Sequence, residues 1–206
     1  MMRNSFLTSV VLILLSLVSM TAHAIEEPAY TVTRRIGDIE VRLYSAYVVA
    51  EVRITGSAAA AGNQAFPILA GYIVGKNTGG TKFSMTAPVT QSAAGTKMPM
   101  TAPVTQNAVS GGYVVQFILP RGLTLAAAPQ PIDPRVTLRE VKARRVAVIR
   151  YSGFWSDANY DQHLSLLQQA LRSAGEAWTS EPIYARYNPP FVPWFLRRNE
   201  IWLQLD

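Results

Sequence analysis

The feature that most constrains how this chain can fold is a segment that occurs twice. Val49-Ala-Glu-Val-Arg-Ile-Thr-Gly56 reads closely against Val146-Ala-Val-Ile-Arg-Tyr-Ser-Gly153. Both are rich in β-branched residues and both stop at glycine, the pattern of a strand that runs into a turn. An alternating segment precedes each copy: Ile39, Val41 and Leu43 before the first, Val136 and Leu138 before the second. A helical spacing follows each: Phe66, Leu69, Ala70 and Ile73 in one case, Tyr160, Leu164, Leu167 and Leu171 in the other. Ser156 or Asp157 can cap the second helix, and Gly75 and Gly175 can end the two helices. Neither half can bury its helix stripe alone. Together they predict two helices against one antiparallel sheet, an α+β architecture. Pro67 bounds the first helix, because in a helix interior it costs about 3 kcal/mol. The reading therefore starts that helix near Asn63 or Gln64, so that Pro67 falls in its first turn.

The first residues read as a leader. Arg3 supplies one positive charge, an apolar run follows from Phe6 to Met20, and small residues stand at Ala22 and Ala24. This order predicts a secretory signal over residues 1–24 with cleavage after Ala24, and a domain over residues 25–206. An uncleaved anchor is the competing reading, although the run is short of the roughly 20 residues of a membrane span. The expectation is an exported protein, periplasmic or secreted, with no stable membrane span once the leader is removed.

Without Arg3 the chain carries 18 basic and 13 acidic side chains, a net charge of +5. Such a surface attracts anions. No basic helix or aromatic-basic motif points to nucleic acid. There are no cysteines, which excludes disulfides, thiolate metal sites and thiol nucleophiles. His23 belongs to the leader, so His163 is the single imidazole of the remaining chain. That leaves little room for a metal cluster or a Ser-His-Asp triad, and no metal site or catalytic residue is predicted.

A second repeat is in tandem. Thr81-Lys-Phe-Ser-Met-Thr-Ala-Pro-Val-Thr-Gln91 is followed by Thr96-Lys-Met-Pro-Met-Thr-Ala-Pro-Val-Thr-Gln106, with Ser92-Ala-Ala-Gly95 between them. Two short extended segments are expected, with a hairpin as one arrangement, and the prolines belong at edges or bulges. Gly112 to Leu119 alternates as a plain strand, and residues 120–134 read as a loop. Pro182 to Tyr187 and Ile201 to Leu205 read as strands on either side of a Pro-Pro turn and the aromatic Phe191-Val-Pro-Trp-Phe195.

Several of these segments, in order, resemble the SOUL haem-binding family. They are Ala70-Gly-Tyr-Ile-Val-Gly75 with Asn77, both Met-Thr-Ala-Pro-Val copies (85–89 and 100–104), and Phe117-Ile-Leu-Pro120. Arg144-Arg-Val-Ala-Val148 with Tyr151-Ser-Gly153, Tyr187-Asn-Pro-Pro190 and Phe195-Leu-Arg-Arg-Asn-Glu-Ile-Trp202 complete the set. The resemblance implies two pseudo-symmetric β-β-α-β halves forming a distorted antiparallel barrel or sheet with two flanking helices. This is similar to the effector-binding domains of gyrase-inhibitor-like and multidrug-responsive regulators. It also implies non-covalent binding of haem or another tetrapyrrole in an apolar groove beside the first helix. In this sequence the candidates there are Phe66, Ala70 and Ile73, with Lys76, Met85 and Met100 around them. Some relatives carry Met at the positions of Phe66 and Ala70, and no axial His of the family matches a residue here.

Iron ligation is not needed for useful affinity. At about −0.3 kcal/mol per heavy atom, on the order of 40 porphyrin atoms allow about −12 kcal/mol, whereas micromolar binding needs about −8 kcal/mol. His163 reads as a boundary histidine rather than an iron ligand, and Met85, Met98 and Met100 as core filling rather than thioether ligands. Lys76, Lys82 and Lys97 are candidates to meet propionates, with solvated surface lysines as the preferred reading. Phe191–Phe195 reads as a strapped-down core segment in preference to an exposed lip, and Arg197, Arg198 and Glu200 as a structural ion pair. A tetrapyrrole carrier is the leading function. A module for another amphipathic ligand (lipid, drug or peptide) is the alternative, and a pigment-modifying enzyme comes third, because no nucleophile elbow or carboxylate pair is visible.

Overall fold

The computed structural model describes residues 26–56, 58–93 and 112–206. The expected leader lies outside these, as does the second Met-Thr-Ala-Pro-Val copy with Lys97, Met98 and Met100. The described elements are β1 (Tyr30–Ile36), β2 (Ile39–Tyr44), β3 (Tyr47–Thr55), α1 (Ala58–Ile73), β4 (Val89–Ala93), β5 (Gly112–Ile118), β6 (Thr137–Val141), β7 (Arg144–Tyr151), α2 (Asp157–Ser173), β8 (Ile183–Arg186) and β9 (Asn199–Gln204). Among the described residues, nine strands form one sheet in the order β1-β2-β7-β9-β8-β4-β5-β3-β6, a curled half-barrel open between β1 and β6. Every described strand pair is antiparallel. No described helix is long and apolar enough to cross a membrane.

The sequence repeat is the repeat of the fold. β3 and β7 are its two copies, each preceded by a strand and followed by a helix and two further strands, with β1 added at the edge. The halves exchange their first strands. β2 precedes β3 in the chain yet pairs with β7, Val41 facing Ala147 across the ladder. β6 precedes β7 yet pairs with β3, Val49 facing Arg139. The halves meet where β8 lies against β4.

Both helices cover one face of the sheet. α1 packs Ala61, Ala65, Leu69, Tyr72 and Ile73 on Val48, Ala50, Val52, Ile54, Val115 and Phe117. α2 packs Leu167 and Leu171, with Tyr160 and Leu164 at the margin, on Ile39, Val41, Ala147, Ile149, Ile201 and Leu203. The alternating residues of the same strands point to the other face, where Tyr44, Val146, Val148, Ala185, Tyr187 and Trp202 form a separate cluster. The period-two pattern of β7 and β9 thus feeds two cores at once.

Ser156 caps α2, its side chain accepting from the Asn159 N–H, and Gly175 follows its end at φ +70°. α1 differs from expectation. It begins at Ala58, so Pro67 lies deep in its interior. Pro67 is exposed, so the Asn63 carbonyl that loses its helical donor lies on the solvent side, where water can serve it. The first Met-Thr-Ala-Pro-Val copy leads into β4, with a cis bond at Ala87–Pro88. Both edges of β4 are taken, by β5 and β8.

Candidate functional site

The expected groove residues lie on two faces of α1. The buried stripe advances from Ala61 to Ala65, Leu69 and Ile73, so Phe66 falls about 100° off it. Phe66 is 49% exposed, its ring edge-on to buried Phe117 at 5.5 Å between centroids. Ala70 is half-buried beside it on the helix surface. Ile73 corrects the sequence reading: it is 2% exposed and packs into the sheet, so it is core and not groove. Lys76 and Met85 are exposed, and Met100 lies outside the described residues. Helical spacing alone could not separate Phe66 from Ile73, because Ala61 and Ala65, small enough to seat the helix closely, define the stripe instead.

Asn77 anchors the end of α1. It is buried, donates to the carbonyls of Tyr72 at 2.9 Å and Thr81 at 2.7 Å, and accepts the Thr81 N–H at 2.9 Å. Three bonds to one amide fix the turn that carries Lys76 and Lys82.

A larger opening lies in the second half. β2 stops at Ile39 opposite Ile149, while β7 runs on to Tyr151 against β9. The notch beyond the β1–β2 turn opens into a cleft of about 870 Å³. Its walls include His163 and Leu166 of α2, Phe195 and Leu196 of the C-terminal segment, and Arg35 and Arg150. The segment from Phe191 to Leu196 was expected to be strapped into the core, and it is not. Phe191, Trp194, Phe195 and Leu196 are all exposed, and Trp194 stacks on exposed Phe154 at 5.1 Å. Pro193 leads into a three-residue 3₁₀ turn at Trp194–Leu196 that carries three of these side chains.

Two guanidiniums lie against the Trp155 ring, Arg186 at 4.8 Å and Arg197 at 4.3 Å from its centroid. Burial lowers the Arg186 pKa. Burial also pushes the Tyr151 hydroxyl up to about 12, against the opposing charge of Arg186. Tyr151, Trp155 and Arg186 line a space of about 30 Å³, room for roughly a single water.

Glu200 is the strongest electrostatic feature. Fully buried, it accepts bonds from Arg42, Arg198, Tyr187 and Trp202 at 2.8–3.1 Å. Burial by itself raises a carboxyl pKa. Here Arg42, with help from Arg198 and Trp202, outweighs burial and holds Glu200 below its ordinary range. Of the expected ion pair, Arg198–Glu200 forms at 2.9 Å. Arg197 instead donates to the carbonyls of Val192 and Pro190 and ties down the aromatic segment. Among the described residues no group of three His, Cys, Asp or Glu side chains is placed to hold a metal ion.

Known proteins place this architecture. The family model described as SOUL heme-binding protein matches residues 25–204. The chain belongs to the SOUL haem-binding family. Over 141 residues it is 27% identical to heme-binding protein 1 of Mus musculus, covering 68% of this chain and 69% of that one. Over 139 residues it is 30% identical to heme-binding protein 2 of Homo sapiens, covering 67% and 63%. The fold is similar to the crystal structure of the EcmrR C-terminal domain, with a TM-score of 0.56 at 12% identity, over 86% of this chain and 98% of that one. The SOUL assignment fits the ordered motifs, whose residues the fold uses in two ways. Tyr72, Asn77, Tyr187, Glu200 and Trp202 are structural, whereas Phe195 and Leu196 are presented to solvent.

Proposed function

We propose that this SOUL protein binds haem or a related tetrapyrrole non-covalently on the apolar face beside α1, and that it sequesters or carries the pigment outside the cytoplasm. The observation that carries the reading is Phe66. A large aromatic ring left half-exposed on a helix, braced edge-on by buried Phe117, is a rigid platform on which a flat macrocycle can lie. Ala70, one turn further on, leaves the helix surface low enough for the ring to approach. Lys76 is exposed at the end of the same helix, where an ammonium can meet a propionate. Met85 adds an exposed, adaptable thioether from the first Met-Thr-Ala-Pro-Val copy. The reading asks for binding and release and includes no chemical step, and the leader over residues 1–24 provides the route out of the cytoplasm.

Titration with haem and with metal-free protoporphyrin, followed by visible absorbance and tryptophan quenching, tests it. Both ligands saturate at one equivalent on the α1 face, at micromolar or tighter affinity. Phe66→Asp, at a half-exposed position, removes protoporphyrin binding while the protein stays folded, the midpoint falling by a few degrees for the lost Phe117 contact. Absence of saturable binding by either porphyrin sinks the proposal.

A further inference from the structure

We propose that the aromatic turn over residues 191–196 is a docking knob that inserts into the surface of a lipid bilayer. The inference is independent of the tetrapyrrole reading and uses neither the α1 face nor the cleft. It starts from the way the side chains are presented. Phe191 is 85% exposed, and Trp194, Phe195 and Leu196 are 47%, 57% and 64% exposed. The last three follow one another on a single 3₁₀ turn. With three residues per turn their side chains point roughly 120° apart, so a turn lying flat on the protein would bury one of them. None is buried, and the turn therefore stands clear of the body. Phe154, 59% exposed, stacks on Trp194 and extends the patch. The Gly153 N–H donates to the Trp194 carbonyl at 3.0 Å and ties the knob to the end of β7.

The chemistry of the knob selects lipid as its partner. Between Tyr187 and Arg197 no residue is charged. Pro189, Pro190 and Pro193 have no N–H to satisfy. The Val192 and Leu196 N–H groups donate to the carbonyls of Pro189 and Pro193. The Arg197 guanidinium takes the carbonyls of Pro190 and Val192, and its backbone N–H shares the Trp194 carbonyl with Gly153. Polar backbone groups are thus occupied from within while apolar side chains face out, as entry into a medium without water requires. Trp and Phe are also the side chains favoured at a bilayer interface. Scaling the roughly 150–250 Å² of an aromatic side chain by these exposures gives about 600 Å² for the five side chains. A standard protein interface takes about 800 Å² from each partner. Side chains that point in three directions cannot all meet one rigid partner, whereas fluid lipid closes around each of them. The charged groups that share an opening with Phe195 and Leu196 are of both signs, Arg35 and Arg150 with Asp38 and Glu40. Apolar insertion, rather than attraction to anionic headgroups, therefore drives the contact, and zwitterionic lipid suffices.

The test uses residues 25–206, the form left by the expected cleavage, because the apolar run of the leader would bind lipid by itself. All the described cores lie within this form. It is expected to co-sediment with phosphatidylcholine vesicles, and raising salt from about 0.1 M to about 1 M changes the partition by less than about twofold. Phe191→Gln combined with Phe195→Gln weakens the partition at least about tenfold, since two rings no longer leave water. Both positions are exposed, so the melting temperature moves by no more than about 2 °C. A second measurement needs no substitution: amide exchange over residues 191–197 slows when vesicles are added and stays unchanged along α1. Absence of co-sedimentation, or a partition that survives the double substitution, overturns the proposal. Partition only into vesicles containing phosphatidylserine, lost in high salt, overturns it in favour of charge attraction. A dimer that the double substitution dissociates, with no partition into vesicles, overturns it in favour of an interface between copies of this chain. Slower exchange on α1 in place of residues 191–197 moves the lipid contact elsewhere and overturns it as well. Protoporphyrin titration reads the α1 face alone, so failure of the knob and failure of the tetrapyrrole reading are told apart.

Discussion

Replacing Glu200 by glutamine isolates what the buried carboxylate contributes. The side chain keeps its volume and loses its charge. Arg42, 3% exposed, then faces a neutral amide instead of a carboxylate that took two of its N–H groups at 3.0 and 3.1 Å. The amide NH₂ must also point at one of the donors that now converge on Glu200, the guanidinium of Arg198, the Tyr187 hydroxyl or the Trp202 indole N–H. Breaking a buried pair by removing one partner costs about 3–5 kcal/mol. Taking about 4 kcal/mol, and about 2–4 °C per kcal/mol for a domain of this size, the melting temperature falls by about 8–16 °C. Urea unfolding followed by tryptophan fluorescence measures the free energy. Arg42→Met, alone and combined with Glu200→Gln, completes a double-mutant cycle whose coupling is about 2 kcal/mol. The pH dependence carries a sign. The folded state holds the Glu200 carboxyl below its ordinary value of 4.5, so its stabilisation is present above that value and drains away as pH falls through the folded pKa. The gap between wild type and Glu200→Gln is therefore constant above about pH 5 and narrows in more acid solution. A loss below about 1 kcal/mol at pH 7, or a gap that widens with acid, would refute the reasoning.

Two further substitutions probe the ends of α1. Asn77→Ala strips three hydrogen bonds and leaves the Tyr72 carbonyl with the Gly75 N–H at 3.3 Å, costing about 2–3 kcal/mol; hydrogen exchange at Thr81 and in the last turn of α1 should rise with it. Pro67→Ala restores an N–H in the exposed middle of α1 and raises stability by about 1–3 kcal/mol in thermal unfolding, part of the gain being offset by the looser unfolded chain.

The chain's local pattern by itself determined a good deal of this protein. The twin segments at Val49 and Val146 announced the two halves, because strand alternation and a glycine stop are readable within a few residues. The α2 stripe of Tyr160, Leu164, Leu167 and Leu171 was legible for the same reason, as was the family, whose motifs are spread along nearly the whole fold. What the tertiary structure decided is everything that depends on partners distant in sequence. The exchange of β2 and β6 between halves leaves no local trace, since an alternating strand pairs equally well with either neighbour until the sheet is assembled. The α1 stripe was misread at Phe66 because Ala61 and Ala65, weak hydrophobic signals, become the contact face once the helix settles close to the sheet. The aromatic run Phe191–Phe195 looked like core by composition, and only the prolines, the 3₁₀ turn and the carbonyl clamp by Arg197 turn it outward. His163 was no more than a boundary histidine in the sequence. Its stack on Tyr151 of β7 exists only because α2 packs against the sheet.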